Sequence, residues 1–218
     1  MTLVKICGVT NLEDALLCVE AGADMLGFNF YPKSPRYVAP SRARRITDGL
    51  PASVASVGVF VNEESPGRVE ELAARAGVAA VQLHGDEPAA YCRALQPRFV
   101  IKALRVAPGF APESALTCGS RAVLLDAYSK DFYGGTGDVF DWSAAQAVRA
   151  LAVKLFLAGG LGADNVAEAV RTVAPYAVDA CSLLERTPGL KDAARVRAFV
   201  AAVRRADEEA ASSTGAEE

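Results

Sequence analysis

The chain has 218 residues, 51% of them hydrophobic, which suits one domain with a substantial core. Its formal net charge is −3, but five acids and no base lie in the last twelve residues, and without them 23 bases face 21 acids. Without its last twelve residues the chain is nearly neutral, which gives no electrostatic reason to expect nucleic acid or an anionic membrane surface as a partner, because both require a clustered basic face. A small anionic metabolite fits the charge balance.

The N-terminus and the cysteines favour a cytoplasmic protein. The opening MTLVKICG lacks the basic region and the long apolar core of a signal peptide, and the chain has no apolar run long enough to span a membrane. The five cysteines are odd in number and show no paired short spacing, so the sequence predicts reduced thiols rather than a disulfide framework or a zinc site.

Short apolar runs alternate with amphipathic segments, a pattern typical of βα units and a parallel sheet. The predicted strands are 3–7, 25–30, 54–61, 80–83, 99–103, 122–126, 155–158 and 177–181. The predicted helices begin near Asn11, Pro40, Ser65, Asp86, Glu113, Ser143, Asp164 and Lys191. Eight strands favour an α/β fold, a single-domain (β/α)8 TIM barrel over residues 1–206, with a doubly wound open sheet as the alternative. Residues 207–218 are predicted to form an acidic, disordered tail.

A lone thiol, Cys7, ends the first strand, and active-site groups of such barrels lie at the C-terminal ends of strands. Lys5 and Cys7 share one face of the strand, while Val4 and Ile6 share the other. Because the apolar pair suits the outer helices, we predict that Lys5 and Cys7 face the barrel axis, where the lysine favours a thiolate. The alternative is that Cys7 only fills space.

Three further strand ends carry polar groups. Asp126 ends the sixth apolar run, where a buried carboxylate needs a partner or a proton, although it could also cap the next loop. Arg36 lies in a proline-stiffened loop that could present it to a carboxylate, the alternative being a solvated charge. His84, the only histidine, follows the fourth strand with Gln82, and it is either a structural imidazole or a proton-transfer group.

Glycine-rich loops after the sixth and seventh strands, together with the loop after the eighth, predict a phosphate site. Exposed backbone N–H groups, together with the N-terminus of a short extra helix after strand eight, favour an anion at this place in such barrels. The candidate phosphate-binding residues are Gly135, Thr136, Gly137, Gly159, Gly160, Cys181 and Ser182.

Several motifs, taken in order, resemble the phosphoribosylanthranilate isomerase family of tryptophan biosynthesis, and the resemblance covers essentially the whole barrel. The motifs are Lys5-Ile6-Cys7-Gly8, Ser34-Pro35-Arg36, Val59-Phe60-Val61-Asn62, Gln82-Leu83-His84-Gly85, Leu125-Asp126, Gly134-Gly135-Thr136-Gly137, Phe140-Asp141-Trp142, Ala158-Gly159-Gly160-Leu161, Asn165-Val166, Pro188-Gly189 and Lys191-Asp192.

The resemblance implies an enzyme, an intramolecular oxidoreductase for the Amadori rearrangement of N-(5-phosphoribosyl)anthranilate to 1-(2-carboxyphenylamino)-1-deoxyribulose 5-phosphate. It implies Cys7 as general base and Asp126 as general acid, without a metal or redox cofactor, in a monomer or homodimer. Because a thiol has an ordinary pKa of about 8.5 and a carboxyl group one of about 3.9, the site must tune the two in opposite directions. The implied substrate-binding residues, with Arg36 on the anthranilate carboxylate, are Lys5, Arg36, Gln82, His84 and Asp179.

One departure from the family pattern concerns the phosphate site. The Ser-Ser-Gly expected after strand eight is replaced by Cys181-Ser182-Leu183, which removes a hydroxyl donor and adds a bulky side chain. Two alternatives therefore stay open beside the isomerase. One is a related phosphosugar barrel of tryptophan or histidine biosynthesis, and the other is a phosphosugar-binding barrel that has lost catalysis.

Overall fold

Eight parallel strands close into a barrel in which each strand pairs with its neighbours in sequence and β8 pairs with β1. The computed structural model describes residues 1–127 and 142–214. The strands are β1 Leu3–Ile6, β2 Met25–Asn29, β3 Ala55–Phe60, β4 Ala80–Leu83, β5 Phe99–Val106, β6 Ala122–Ala127, β7 Lys154–Leu157 and β8 Ala177–Ala180. The predicted fold class is confirmed.

The helices lie between the strands and after the last of them. They are α1 Leu12–Glu20, α2 Pro40–Thr47, α3 Pro66–Ala76, α4 Ala89–Ala94, α5 Ser114–Thr117, α6 Ser143–Ala150, α7 Val166–Val173 and α8 Ala193–Thr214. A 3-10 turn, Ser182–Leu184, and a small hairpin of β9 Glu185–Thr187 and β10 Leu190–Lys191 separate β8 from α8. Among the helices of the described ranges, none is both long enough and apolar enough to cross a bilayer.

Three helices begin two or three residues later than the sequence predicts, and the seventh begins at Val166 rather than Asp164. The fourth begins at Ala89 rather than Asp86, because Glu87 precedes a proline and is used in the loop, where its carboxylate accepts from the N–H groups of Gly85 and Asn62. The last begins at Ala193 because Lys191 belongs to the hairpin.

The strands divide the core into two layers, as the alternation of side chains requires. Val4 and Ile6 pack outward against the helices and are fully buried. Inside the barrel a smaller apolar cluster includes Leu124 and Phe156. Since Asp126 is two residues beyond Leu124, it faces the same interior, and the polar side chains of the site lie at the C-terminal end of this inner cluster.

Helix α8 continues through the start of the predicted tail, which is a difference between the sequence prediction and the structure. Asp207 accepts hydrogen bonds from both the backbone N–H and the hydroxyl of Thr2, each 2.8 Å long. Phe199, Val203 and Ala206 on the same helix are buried in the core, which explains why the helix does not end earlier. Residues 215–218 lie outside the described residues.

Asp207→Ala is expected to lower the free energy of unfolding by about 2 kcal/mol, because it leaves the partly buried N–H and hydroxyl of Thr2 without their charged acceptor. Urea unfolding followed by circular dichroism measures the loss. The control is Glu208→Ala on the exposed side of α8, for which we expect a change within about 0.5 kcal/mol. Equal effects of the two substitutions would contradict the anchoring role of Asp207.

Candidate active site

An ion pair between β1 and β8 forms the floor of the site. Lys5 is in register with Asp179, and its Nζ lies 2.8 Å from Oδ1 of that residue. Burial by itself lowers the pKa of Lys5, but the charge and hydrogen bond of Asp179, together with the nearby Cys7 and Cys181, outweigh it, so the pKa is raised and the lysine stays protonated. Burial raises the pKa of Asp179 to about 7 in spite of the lysine.

Cys7 follows β1 directly and lies one pleat beyond Lys5 on the inner face. Its backbone N–H donates to the carbonyl of Ala180, 2.9 Å away, so the thiol has a fixed position between two strands. A Cβ atom on Gly27 of β2 would lie 2.8 Å from Sγ of Cys7 and 3.2 Å from Nζ of Lys5. The glycine therefore leaves room for both side chains, and the predicted inward orientation of Lys5 and Cys7 agrees with this geometry.

The surroundings of Cys7 favour its thiolate. A hydrogen bond with the side chain of Cys181 is the largest cause that lowers the pKa of Cys7, and burial acts in the opposite direction. The positive charges of Lys5 and Lys191 lower it further, and the net result is a pKa well below the ordinary value. The same hydrogen bond, with burial, raises the pKa of Cys181 well above the ordinary value. These directions favour a thiolate at Cys7 beside a thiol at Cys181, whose Sγ donates to Oε1 of Glu185 at 3.9 Å.

A second polar group consists of Gln82, His84 and Asp126, on β4, just after it, and on β6. Gln82 and His84 are two residues apart and share the inner face, and Nε2 of Gln82 lies 2.7 Å from Nδ1 of His84. With the amide N–H as donor, the proton of a neutral imidazole is on Nε2, which lies 3.3 Å from Oδ2 of Asp126. All three side chains are buried, and Nε2 of His84, which has no hydrogen-bond partner within the described residues, faces the carboxylate of Asp126.

Arg36 is held by a carboxylate of the protein itself. Its Nε and Nη2 lie 3.0 and 2.8 Å from Oε2 of Glu185. Glu185 also accepts from Nζ of Lys191 at 3.0 Å and from the N–H of Gly189 at 3.2 Å. Nη1 of Arg36 donates to nothing in residues 1–127 and 142–214, so one edge of the guanidinium stays available.

Glu185 and Lys191 are site residues that the sequence analysis missed. Lys191 is almost fully buried, and its Nζ donates to the carbonyl oxygen of Cys7 at 2.6 Å. Both residues belong to the short polar hairpin after β8, which has no apolar periodicity to mark it. The sequence signal was the pair of motifs Pro188-Gly189 and Lys191-Asp192, which mark the segment without giving Glu185 or Lys191 a role in the site.

The predicted phosphate loops are described only in part. Gly159 and Gly160 follow β7 with φ angles of +82° and +59°, a left-handed conformation that favours glycine. Ser182 begins the 3-10 turn, and Leu183 in that turn is 43% exposed, with its Cδ1 3.2 Å from where a Cβ of Gly162 would lie. Cys181 directly precedes that turn and also lies beside Cys7, and Gly135, Thr136 and Gly137 lie outside the described residues.

Comparison with known sequences places the chain in one family. A sequence model described as N-(5'phosphoribosyl)anthranilate (PRA) isomerase matches residues 4–202. The chain is 52% identical over 200 residues to an N-(5'-phosphoribosyl)anthranilate isomerase of Geobacter sulfurreducens, which covers 92% of this chain and 97% of that protein. It is 48% identical over 201 residues to the protein of the same name from Thermotoga maritima, which covers 92% and 97%.

Solved structures agree with the sequences. The phosphoribosyl anthranilate isomerase of Thermus thermophilus superimposes with a TM-score of 0.87 and 38% identity, over 94% of this chain and 99% of that one. A structure of a phosphoribosyl anthranilate isomerase in complex with reduced 1-(o-carboxyphenylamino)-1-deoxyribulose 5-phosphate gives a TM-score of 0.82 and 42% identity, over 94% of this chain and 100% of that one. The described part of the chain holds no cluster of side chains suited to a metal ion. The chain belongs to the N-(5'-phosphoribosyl)anthranilate isomerase family.

Proposed function

We propose that Cys7 and Asp126 catalyse the isomerisation as general base and general acid. Family membership makes the chain an isomerase of N-(5'-phosphoribosyl)anthranilate in tryptophan biosynthesis, and the proposal assigns its chemistry to particular residues. The observation that carries it is the lowered pKa of Cys7, beside two buried lysines and at the same end of the barrel interior as Asp126.

In the proposed reaction the acid acts first. Asp126 gives its proton to the ring oxygen of the aminoaldose, the bond between that oxygen and C1 breaks, and the nitrogen lone pair forms a Schiff base. Cys7 then removes the proton from C2, and the electron pair of the C–H bond moves to form the enol-amine, which becomes the aminoketone. His84, 3.3 Å from Asp126, is proposed to orient that carboxyl group together with Gln82.

The remaining polar residues are proposed to hold the substrate. Arg36 binds the anthranilate carboxylate through the edge that Glu185 leaves available. Lys5 and Asp179 contact the sugar from the floor of the site, and the N–H groups after β7 and β8 bind the phosphate. The phosphate-binding set predicted from the sequence, including Gly135–Gly137, remains a proposal.

The proposal also covers the compartment, the substrate and the oligomeric state of the enzyme. We propose a cytoplasmic enzyme whose substrate is the phosphosugar-anthranilate conjugate, and which is a monomer or a homodimer. The support for a monomer or a homodimer is a solved structure similar to this chain, which is of monomers generated from a dimeric phosphoribosylanthranilate isomerase of Thermotoga maritima.

The purified protein is expected to consume N-(5'-phosphoribosyl)anthranilate, measured as loss of substrate fluorescence. Arg36→Met is expected to raise KM at least about tenfold with a smaller effect on kcat, because Arg36 is proposed to bind the carboxylate equally in substrate and transition state. Arg45→Met, on the exposed face of α2, is the control and should leave KM unchanged.

Two results would count against the proposed function. A folded protein that bound the reduced product analogue but did not consume substrate would favour a binding barrel without catalysis. An unchanged KM in Arg36→Met would remove the arginine from the substrate site. Arg36→Lys, which keeps the charge but not the planar fork, shows whether the bidentate geometry matters.

A further inference from the structure

The structure places two cysteines side by side at the seam where the barrel closes. In the pairing of β1 with β8, Ile6 lies opposite Ala180, so the next residues along the two strands are Cys7 and Cys181. Parallel neighbouring strands are about 4.8 Å apart, within the range of Cα separations of about 4.4–6.8 Å that a disulfide allows. The two backbones at this point are therefore at a distance that a disulfide can span.

The side chains of these cysteines also lie on the same face. Lys5 and Asp179, two residues earlier on each strand, meet inside the barrel, and the alternation of strands carries Cys7 and Cys181 to the same side. A Cβ atom on Gly8 would lie 2.9 Å from Sγ of Cys181, so the glycine next to Cys7 leaves the space that the second thiol occupies.

The two thiols are chemically different. Cys7 has Lys5 and Lys191 close by, which favours the nucleophilic thiolate, whereas the raised pKa of Cys181 favours its protonated form. Two of the remaining cysteines do not compete, since burial raises the pKa of Cys18 to about 12 and that of Cys92 to about 11. The pair thus combines a thiolate that reacts first with an oxidant and a neighbouring thiol that can convert the resulting sulfenic acid to a disulfide.

We propose that Cys7 and Cys181 form a reversible disulfide when the enzyme meets hydrogen peroxide. The Cys7 thiolate attacks one peroxide oxygen, the O–O bond breaks, and hydroxide leaves as water after taking up a proton. Cys181 then loses its proton and attacks the sulfur of the Cys7 sulfenic acid, the S–O bond breaks, and a second water leaves. One peroxide is reduced to two waters while two thiols are oxidised to one disulfide, and a dithiol reductant reverses the change.

The disulfide would switch the enzyme off and protect it. It removes the thiolate that abstracts the C2 proton, a consequence that rests on the proposed role of Cys7. It also keeps Cys7 from further oxidation to sulfinic acid, which a dithiol cannot reverse. A serine in place of Cys181, as the family pattern leads one to expect, could not provide this protection.

The test treats the purified full chain with a small excess of hydrogen peroxide and then alkylates the remaining thiols under denaturing conditions. We expect a peptide in which Cys7 is linked to Cys181, a loss of two hydrogen atoms in intact mass, and loss of isomerase activity. Dithiothreitol should then restore at least about nine-tenths of the activity, since disulfide exchange is reversible.

Two variants sharpen the test, each compared with its own untreated activity. Cys181→Ser should lose activity under peroxide without recovery in dithiothreitol, with oxygen added at Cys7. Cys118→Ser removes a half-exposed thiol outside the site and should behave as the unmodified chain does. Sulfinic acid at Cys7 of the unmodified chain, without the linked peptide, would overturn the proposal. A linked peptide with full activity would support the disulfide but overturn the role of Cys7 as base.

Discussion

Cys7→Ala is expected to lower kcat by about two to four orders of magnitude, the usual contribution of a general base. Affinity for the reduced form of 1-(o-carboxyphenylamino)-1-deoxyribulose 5-phosphate, the ligand of a related structure, should change by less than about threefold, because the thiol is proposed to act on the C2 proton rather than to bind the ligand. Stopped assays of substrate fluorescence and analogue titration measure the two quantities.

The matched control for Cys7 is Cys118→Ala, since that thiol lies near Ser120, outside the site. It should leave both kcat and analogue affinity unchanged. A Cys7→Ala variant with unchanged turnover would remove the thiol from the mechanism. A variant that lost analogue affinity in parallel with kcat would instead give Cys7 a binding role.

The pH dependence of kcat/KM follows from the same group. Because the base must be deprotonated, activity is present above the pKa of Cys7 and is lost as the pH falls through it. The hydrogen bond from Cys181 and the nearby lysines lower that pKa, so the acid limb should lie below the ordinary thiol value of about 8.5. A limb at or above that value would contradict the assignment of Cys7 as base.

Asp126→Asn is expected to cost a similar factor in kcat, about two to four orders of magnitude, because the amide has no proton to give to the ring oxygen. The substitution keeps the size of the side chain beside His84, whose Nε2 lies 3.3 Å from Oδ2 of Asp126. Analogue affinity and the folded structure should therefore be retained, as judged by titration and by circular dichroism.

The control for Asp126 is Asp48→Asn, an exposed carboxylate at the end of α2 that pairs with Arg44. It should leave kcat unchanged, since exposed ion pairs contribute little to stability and this one is far from the chemistry. If Asp126→Asn kept full turnover, the acid would have to be sought elsewhere, and the adjacent imidazole of His84 would be the first candidate.

Much of the fold follows from local pattern. All eight strands were predictable because each is a short apolar run bounded by glycine, proline or polar residues. The orientation of Lys5 and Cys7 was predictable as well, since Val4 and Ile6 on the other face have only the helices to pack against. The beginning of α8 was not predictable, because nothing in the local sequence excludes Lys191 from the helix. Its ammonium group pairs with Glu185, a contact that only the folded structure shows.

Which side chains contact each other in the site was harder to predict than which residues belong to it. Cys181 was expected to bind phosphate, and the structure places it against Cys7, because only strand register brings the ends of β1 and β8 together. Arg36 was predicted to bind a carboxylate, and it does bind one, but that of Glu185. Local sequence predicts what a side chain can do, whereas contacts between distant segments determine what it does.

The closure of β1 against β8 has a consequence for how the enzyme is made. Lys5 and its partner Asp179 are 174 positions apart in sequence, and Cys7 is 184 positions before Lys191, whose ammonium binds its carbonyl oxygen. Lys5 is close to Cys7 in sequence, but Cys181 and Lys191, which also lower the pKa of the thiol, come from distant segments and reach it only when β8 pairs with β1. The full set of groups that favours the thiolate therefore assembles only when the barrel closes.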